Sequence, residues 1–108
     1  MIRMRVDPPL AQTVRCSSPA EDTLAFSGVL TFTTAAQALE QGLRALAQGA
    51  RSRLDLEGVT HADSAGLACV LALLAHASRL GKNLVVADPP DGLRALADVC
   101  DAGALLQT

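Results

Sequence analysis

Hydrophobic positions along the chain change period several times, and each change marks a predicted element. Thr23 to Leu30 alternates, with Leu24, Phe26 and Leu30 on one face and Thr23 and Ser27 on the other. That pattern predicts a half-buried strand. Gln12 to Cys16 reads as a short first strand, and Ser17-Ser18-Pro19-Ala20-Glu21-Asp22 as turn chemistry, so the two strands predict an N-terminal hairpin. Thr34-Ala35-Ala36-Gln37 matches a capping box, in which hydroxyl and amide satisfy the free N–H groups of a helix start. The helix is predicted to run to about Gln48, with Leu39, Leu43 and Leu46 as its buried stripe and Gly49 at its end.

Arg53 to Glu57 alternates again, with Leu54 and Leu56 facing inward. A second helix starts at Asp63 or Ser64, both good N-caps, and ends before Gly81. Asn83 to Ala87 is a short apolar strand, stopped by Asp88-Pro89-Pro90. Asp91 is placed to cap a third helix carrying Leu93, Leu96, Ala97 and Cys100. Gly103 ends that helix, and Ala104 to Gln107 is a short tail or edge strand. Strands joined through helices lie parallel, with right-handed crossovers. The expected fold is therefore α/β: a mixed four- to five-stranded sheet with an N-terminal hairpin and about three packed helices. Residues 1–10, which contain Asp7-Pro8-Pro9, form an irregular lead-in to a single domain over 11–108.

Composition narrows the function classes. A chain of 108 residues, half of them hydrophobic, has the size and make-up of one folded domain. Phe26 and Phe32 are the only aromatic residues and the formal net charge is -2. A nucleic-acid reader would want stacking rings and a basic face. Cys16, Cys69 and Cys100 are scattered and odd in number, which predicts buried apolar thiols in a reducing compartment rather than a disulfide framework. Arg3 and Arg5 are not followed by a signal-peptide core, and the longest apolar run, Ala65 to Ala75, is about half a membrane span. The expected location is the cytoplasm, with any membrane association made through a partner.

The stretch from Leu54 to Leu80 carries the functional signal. Gly66 falls in the first turn of the second helix, where glycine costs roughly 1 kcal/mol relative to alanine. A glycine there lets another backbone or a partner group come close. The helix behind it is apolar nearly all round. Leu67, Leu71 and Leu74 share a face, Leu73 and Leu80 point elsewhere, and Ala65, Ala68, Ala72 and Ala75 make a smooth stripe. Such a helix is either covered by its neighbours or offers a surface to a partner.

Leu54-Asp55-Leu56, Val59 and Asp63-Ser64-Ala65-Gly66-Leu67 resemble the signature of STAS domains, and the element order fits that family from about Gln12 onward. The resemblance implies that the Asp-Ser-Ala-Gly segment opens the second helix at the centre of a partner-binding surface. Anti-sigma-factor antagonists of the family keep a phosphorylatable Ser or Thr directly before the motif glycine, where this chain has Ala65. The MlaB-like branch is more similar, with a hydroxyl residue after the motif Asp and a small residue before the glycine. That branch implies an accessory subunit, without cofactor, of an ABC transporter that moves phospholipids and maintains outer-membrane lipid asymmetry in Gram-negative bacteria. Its partner would be the MlaF-like ATPase with its permease complex, at the inner face of the inner membrane. Carried onto this chain, the contact would involve Asp63, Ser64, Ala65, Gly66 and Leu67, flanked by Leu93 and Leu96. Self-association through the apolar second helix stays open. So does a regulator in a phosphorylation-linked pathway, with Ser64 as the acceptor.

Enzymatic chemistry is not expected. His61 and His76 lack a second ligand at metal-binding spacing. Asp63, Ser64 and His61 are nearly adjacent, whereas a triad converges from separated elements. No Walker motif is present, so ATP hydrolysis would belong to the partner. Arg44, Arg51, Arg53 and Arg79 read as a solvated face.

Overall fold

The computed structural model describes residues 13–106. The lead-in over 1–10, the start of the first predicted strand at Gln12, and Gln107 lie outside them. Elements follow in the order β1 (Val14–Ala20), β2 (Thr23–Leu30), α1 (Ala35–Gln48), β3 (Arg53–Ala62), α2 (Ser64–Arg79), β4 (Val85–Ala87) and α3 (Asp91–Val99), with a final 3-10 turn over Gly103–Leu106. The described strands form one mixed sheet in the order β1-β2-β3-β4. β1 and β2 are the antiparallel hairpin, and β3 and β4 each add in parallel. The fold class and element order are those predicted.

Register explains which face holds the helices. Leu24 pairs with Leu54, and Leu54 with Val86, so these side chains stand on one face, and all are buried. Phe26, Leu30 and Leu56 continue that layer. Ala25 and Asp55 pair on the other face, which also carries the exposed Ser17 and Arg53. The helices close the core from one side. From α2 come Leu67, Val70, Leu73 and Ala77, from α1 Ala38 and Leu46, and from α3 Leu93 and Ala97.

Several expectations change. β1 extends through Ser17-Ser18-Pro19 to Ala20, leaving only Glu21 and Asp22 as the turn. Pro19 falls where the β1–β2 register shifts, on a strand with one described neighbour, where its missing N–H costs no ladder bond. β3 does not stop at Glu57 but continues to Ala62. Its register against β2 shifts twice, between Ala25 and Ser27 and between Gly28 and Val29. Each shift places an extra β3 residue, which scrambles the alternation from Glu57 onward.

Thr34 does not form a capping box. Its hydroxyl turns back, donating to the Val29 carbonyl at 2.6 Å and accepting from the Thr31 N–H at 3.0 Å. In α1 the fully covered positions are Ala38, Gly42 and Leu46, while Leu39 and Leu43 are half-buried. Leu73, predicted off the main face of α2, is at its centre. Asp91 is the first residue of α3 rather than its cap, which is Pro90, and Cys100 is an exposed cap residue. The 3-10 turn replaces the predicted tail or edge strand. Cys69 alone of the cysteines is buried; Cys16 is half-buried.

α2 and α3 end alike. After α2, Lys82 N–H donates to Ala77 O (2.9 Å) and Gly81 N–H to Ser78 O (3.0 Å). Gly81 has φ 76°. After α3, Ala102 N–H donates to Ala97 O (2.7 Å) and Asp101 N–H to Asp98 O (3.1 Å), and Asp101 has φ 59°. Both are Schellman motifs, and a left-handed Asp101 rather than Gly103 ends α3. The first turn also aims Lys82 at the C-terminus of α1. Its Nζ donates to the Leu46 carbonyl (2.5 Å) and the Gly49 carbonyl (2.7 Å), satisfying acceptors that the helix end leaves open. Lys82→Met, which keeps the stem and removes the donors, should lower unfolding free energy by about 1–3 kcal/mol in a urea titration.

Candidate partner-binding surface

Asp63 is the hinge of the predicted site. It is extended, at φ -123°, between the end of β3 and the first turn of α2. Its Oδ1 accepts from the N–H groups of Ala65 (3.0 Å) and Gly66 (3.1 Å), so Asp63 and not Ser64 is the N-cap. Its Oδ2 accepts from the Phe32 N–H at 3.0 Å, in the loop joining β2 to α1. One carboxylate thus fastens the β2–α1 loop to the start of α2. These bonds, that from Phe32 foremost, lower the Asp63 carboxyl below its ordinary value, against an upward push from burial.

Gly66 shows why the motif ends in glycine. A Cβ there would overlap the Leu30 carbonyl oxygen and lie 3.0 Å from its carbonyl carbon. The helix start rests directly on the end of β2, and the glycine serves this internal contact. Gly66 and Leu67 are buried, and so is Leu93 on α3. All three side-chain positions are thus withdrawn from the surface. Asp63, Ala65 and Leu96 are half-buried, and Ser64 is exposed.

The structure adds residues to this set. Phe32 stands 84% exposed beside the Asp63 carboxylate, with its backbone pinned and its ring in solvent. Between the N-terminal halves of α1 and α2 runs a shallow groove lined by Ala35, Ala36, Leu39, Ala65, Ala68 and Ala72. Cys69 forms part of its floor, and burial pushes that thiol up to about 11. The outer strip of α2 is therefore neither fully covered nor bulky; it is a low apolar surface of small side chains with one projecting ring. Phe32 follows Leu30 in the alternation of β2, so its pattern predicts burial. The strand's end at Leu30 frees it.

Among the described residues, the polar groups around this surface are engaged as follows. Both Asp63 oxygens are committed to main-chain N–H groups. His61 Nδ1 lies 3.4 Å from Thr60 Oγ1 on the exposed end of β3. Arg51, expected on a solvated face, is half-buried and donates through Nη1 to the Glu21 carbonyl at 2.6 Å. No described helix is long and apolar enough to cross a membrane.

The family model described as "Mlab, STAS domain" matches residues 15–107. The chain belongs to that family. Its MlaB-type STAS fold is similar to a solved structure of the anti-sigma factor antagonist SpoIIAA in its unphosphorylated form. The TM-score is 0.67 at 18% identity, covering 85% of this chain and 84% of that one. It is also similar to the phosphorylated form of SpoIIAA, the Bacillus cell fate determinant. There the TM-score is 0.64 at 18% identity, with 85% and 86% covered. No curated protein matches the sequence. At this identity the two structures speak for the STAS fold.

Two predictions follow from the Asp63–Gly66 junction. Gly66→Ala should destabilise the domain by about 3 kcal/mol, the upper range for overpacking, because the obstacle is backbone and not a mobile side chain. Stability from the lowered Asp63 carboxyl is fully present above the ordinary carboxylate range. It is lost as pH falls through the depressed folded-state value. Asp63→Asn should therefore flatten the acid limb of a stability-against-pH curve measured by urea unfolding.

Proposed function

We propose that this chain is a non-catalytic accessory subunit that docks on the ATPase of an ABC-type phospholipid transporter. In this role it would sit with the permease complex at the cytoplasmic face of the inner membrane and serve outer-membrane lipid asymmetry. The reading rests on the family and, above all, on one feature: the exposed Ser64 and half-buried Ala65 beside a groove of small residues, with Phe32 exposed nearby. Small side chains let a partner backbone approach closely, and an exposed aromatic supplies an anchor of the kind that dominates interface energies. Ala65 occupies the position that the phosphate acceptor holds in anti-sigma-factor antagonists, so docking here would not be gated in the usual way. The domain contributes a surface, and ATP hydrolysis belongs to the partner.

A second reading is favoured by one observation. Ser64 is exposed at the N-terminus of α2, and a protein of the same fold exists in phosphorylated and unphosphorylated forms. A helix N-terminus stabilises a phosphate. A signalling antagonist switched at Ser64 would use the same surface.

Affinity purification of the full chain from native membranes separates the two. Co-purification of an ATPase and a permease supports the transporter subunit; recovery of a serine kinase without them replaces it with the regulator. Within the transporter reading, Ser64→Glu should weaken ATPase capture more than Ser64→Ala, because a carboxylate must then be buried in an apolar contact. Phe32→Ala should cost about 2 kcal/mol of binding, near 30-fold in Kd, with urea stability unchanged within about 0.5 kcal/mol. Equal capture by Ser64→Glu and Ser64→Ala would remove Ser64 from the interface.

A further inference from the structure

The turn that presents Phe32 is held by two sets of bonds with different reach. One set is internal. The Thr34 hydroxyl donates to the Val29 carbonyl at 2.6 Å and accepts from the Thr31 N–H at 3.0 Å. The Thr31 carbonyl accepts from the N–H groups of Thr34 (2.9 Å) and Ala35 (2.7 Å). These bonds stay within residues 29–35 and give the turn its shape. The other set reaches α2. At the base of the turn the buried Leu30 accepts from the Asp63 N–H at 3.4 Å. At its apex Phe32 and Thr33 are exposed, and the Phe32 N–H donates to Asp63 Oδ2 at 3.0 Å, 31 residues on in the chain. That last bond fixes where the apex stands relative to the start of α2.

Asp63 divides its oxygens between two tasks. Oδ1 caps α2 through the N–H groups of Ala65 (3.0 Å) and Gly66 (3.1 Å), and Oδ2 takes Phe32. Both oxygens are engaged inside the domain, although the family resemblance counts Asp63 among the contact residues. The arrangement also demands a carboxylate. N–H donors come to it from two sides, and an amide side chain has a single acceptor oxygen. Asparagine at 63 would keep the cap, since Asn and Asp cap about equally well. Its NH2 group would then meet the Phe32 N–H, donor against donor.

We infer that Asp63 is a positioning residue of the docking surface: it holds the Phe32 turn against the start of α2 and acts on a partner through that ring, without touching the partner itself. The inference deepens the docking reading, on which its binding consequence rests. A ring 84% exposed on a loose apex must be ordered by the partner, and that ordering weakens binding. On a latched apex the ring arrives ordered. The latch also sets the spacing between the Phe32 turn and the exposed Ser64, and so the geometry a partner must match.

The first measurement needs no partner: amide hydrogen exchange and heteronuclear NOE by NMR on the free full chain. In Asp63→Asn the Phe32 amide should exchange at least about tenfold faster and the apex should gain fast motion, while the Ala65 and Gly66 amides keep their protection. Asp63→Ser, a good cap with one oxygen, should show the same split and serves if the first variant folds poorly. The second measurement is a double-mutant cycle of Asp63→Asn with Phe32→Ala. It is read as Kd for the ATPase that co-purifies with the chain, or for the serine kinase recovered in its place. Asp63→Asn alone should weaken binding roughly three- to tenfold. In the Phe32→Ala background it should change Kd by less than about twofold, whereas a general loss of stability would weaken both backgrounds alike. If neither protein is recovered, the docking reading falls and amide exchange alone decides the latch. The inference is overturned if Asp63→Asn leaves the Phe32 amide as protected as before or if the freed turn binds as tightly as the wild type. It is equally overturned if the loss is the same in both backgrounds.

Discussion

The contact between the start of α2 and the end of β2 governs the arrangement of everything around it. Gly66 lies against the Leu30 carbonyl, and Asp63 bonds both to the α2 amides and to Phe32 just beyond β2. Two chain segments about thirty residues apart are thereby fixed in one place. The angle at which α2 leaves the sheet, the course of the β2–α1 loop and the exposure of Phe32 all follow. A carboxylate suits this role because it accepts from several N–H groups at once, and its charge also favours the positive end of α2.

That junction is what turns a small-residue helix into a usable surface. α2 buries Leu67, Cys69, Val70, Leu73 and Ala77 against the sheet, so its orientation is set from beneath. Outside, alanines lose little side-chain entropy on contact and leave room for a partner's side chains. The projecting ring of Phe32 stands on a backbone already immobilised by Asp63. An anchor held before the partner arrives reduces the ordering that binding must otherwise impose.

Much of this was legible from residue order. The alternation of β2, the helical spacing of α1, and Asp63-Ser64-Ala65-Gly66 after a strand located the elements and the helix start. The parts that were not legible have particular causes. Two register shifts in β3 break period two after Glu57, so the strand looks finished where it continues. Thr34 satisfies its hydroxyl on Val29 and Thr31 rather than on its own helix, an alternative open to any Thr at a turn. Leu67 and Leu93 entered the candidate contacts through the family resemblance, which does not say which side of a helix faces the core; both are buried. Phe32 was hidden for the converse reason: a residue in phase with buried neighbours reads as buried unless the strand's end is known. Arg51 looked like surface charge because its partner, the Glu21 carbonyl, has no side-chain signature.

The sheet has a property that its connectivity brings about. Spatial order equals chain order, β1-β2-β3-β4, so each described strand adds to the edge left by the one before it. No strand has to be inserted between two that have already paired. A chain emerging from the ribosome can lay down the hairpin first, then extend it one strand and one covering helix at a time. Until α2 has been made, however, Leu24, Phe26 and Leu30 have only α1 to cover them. The nascent domain passes through a stage in which its central apolar layer is open, and it closes when Gly66 reaches Leu30.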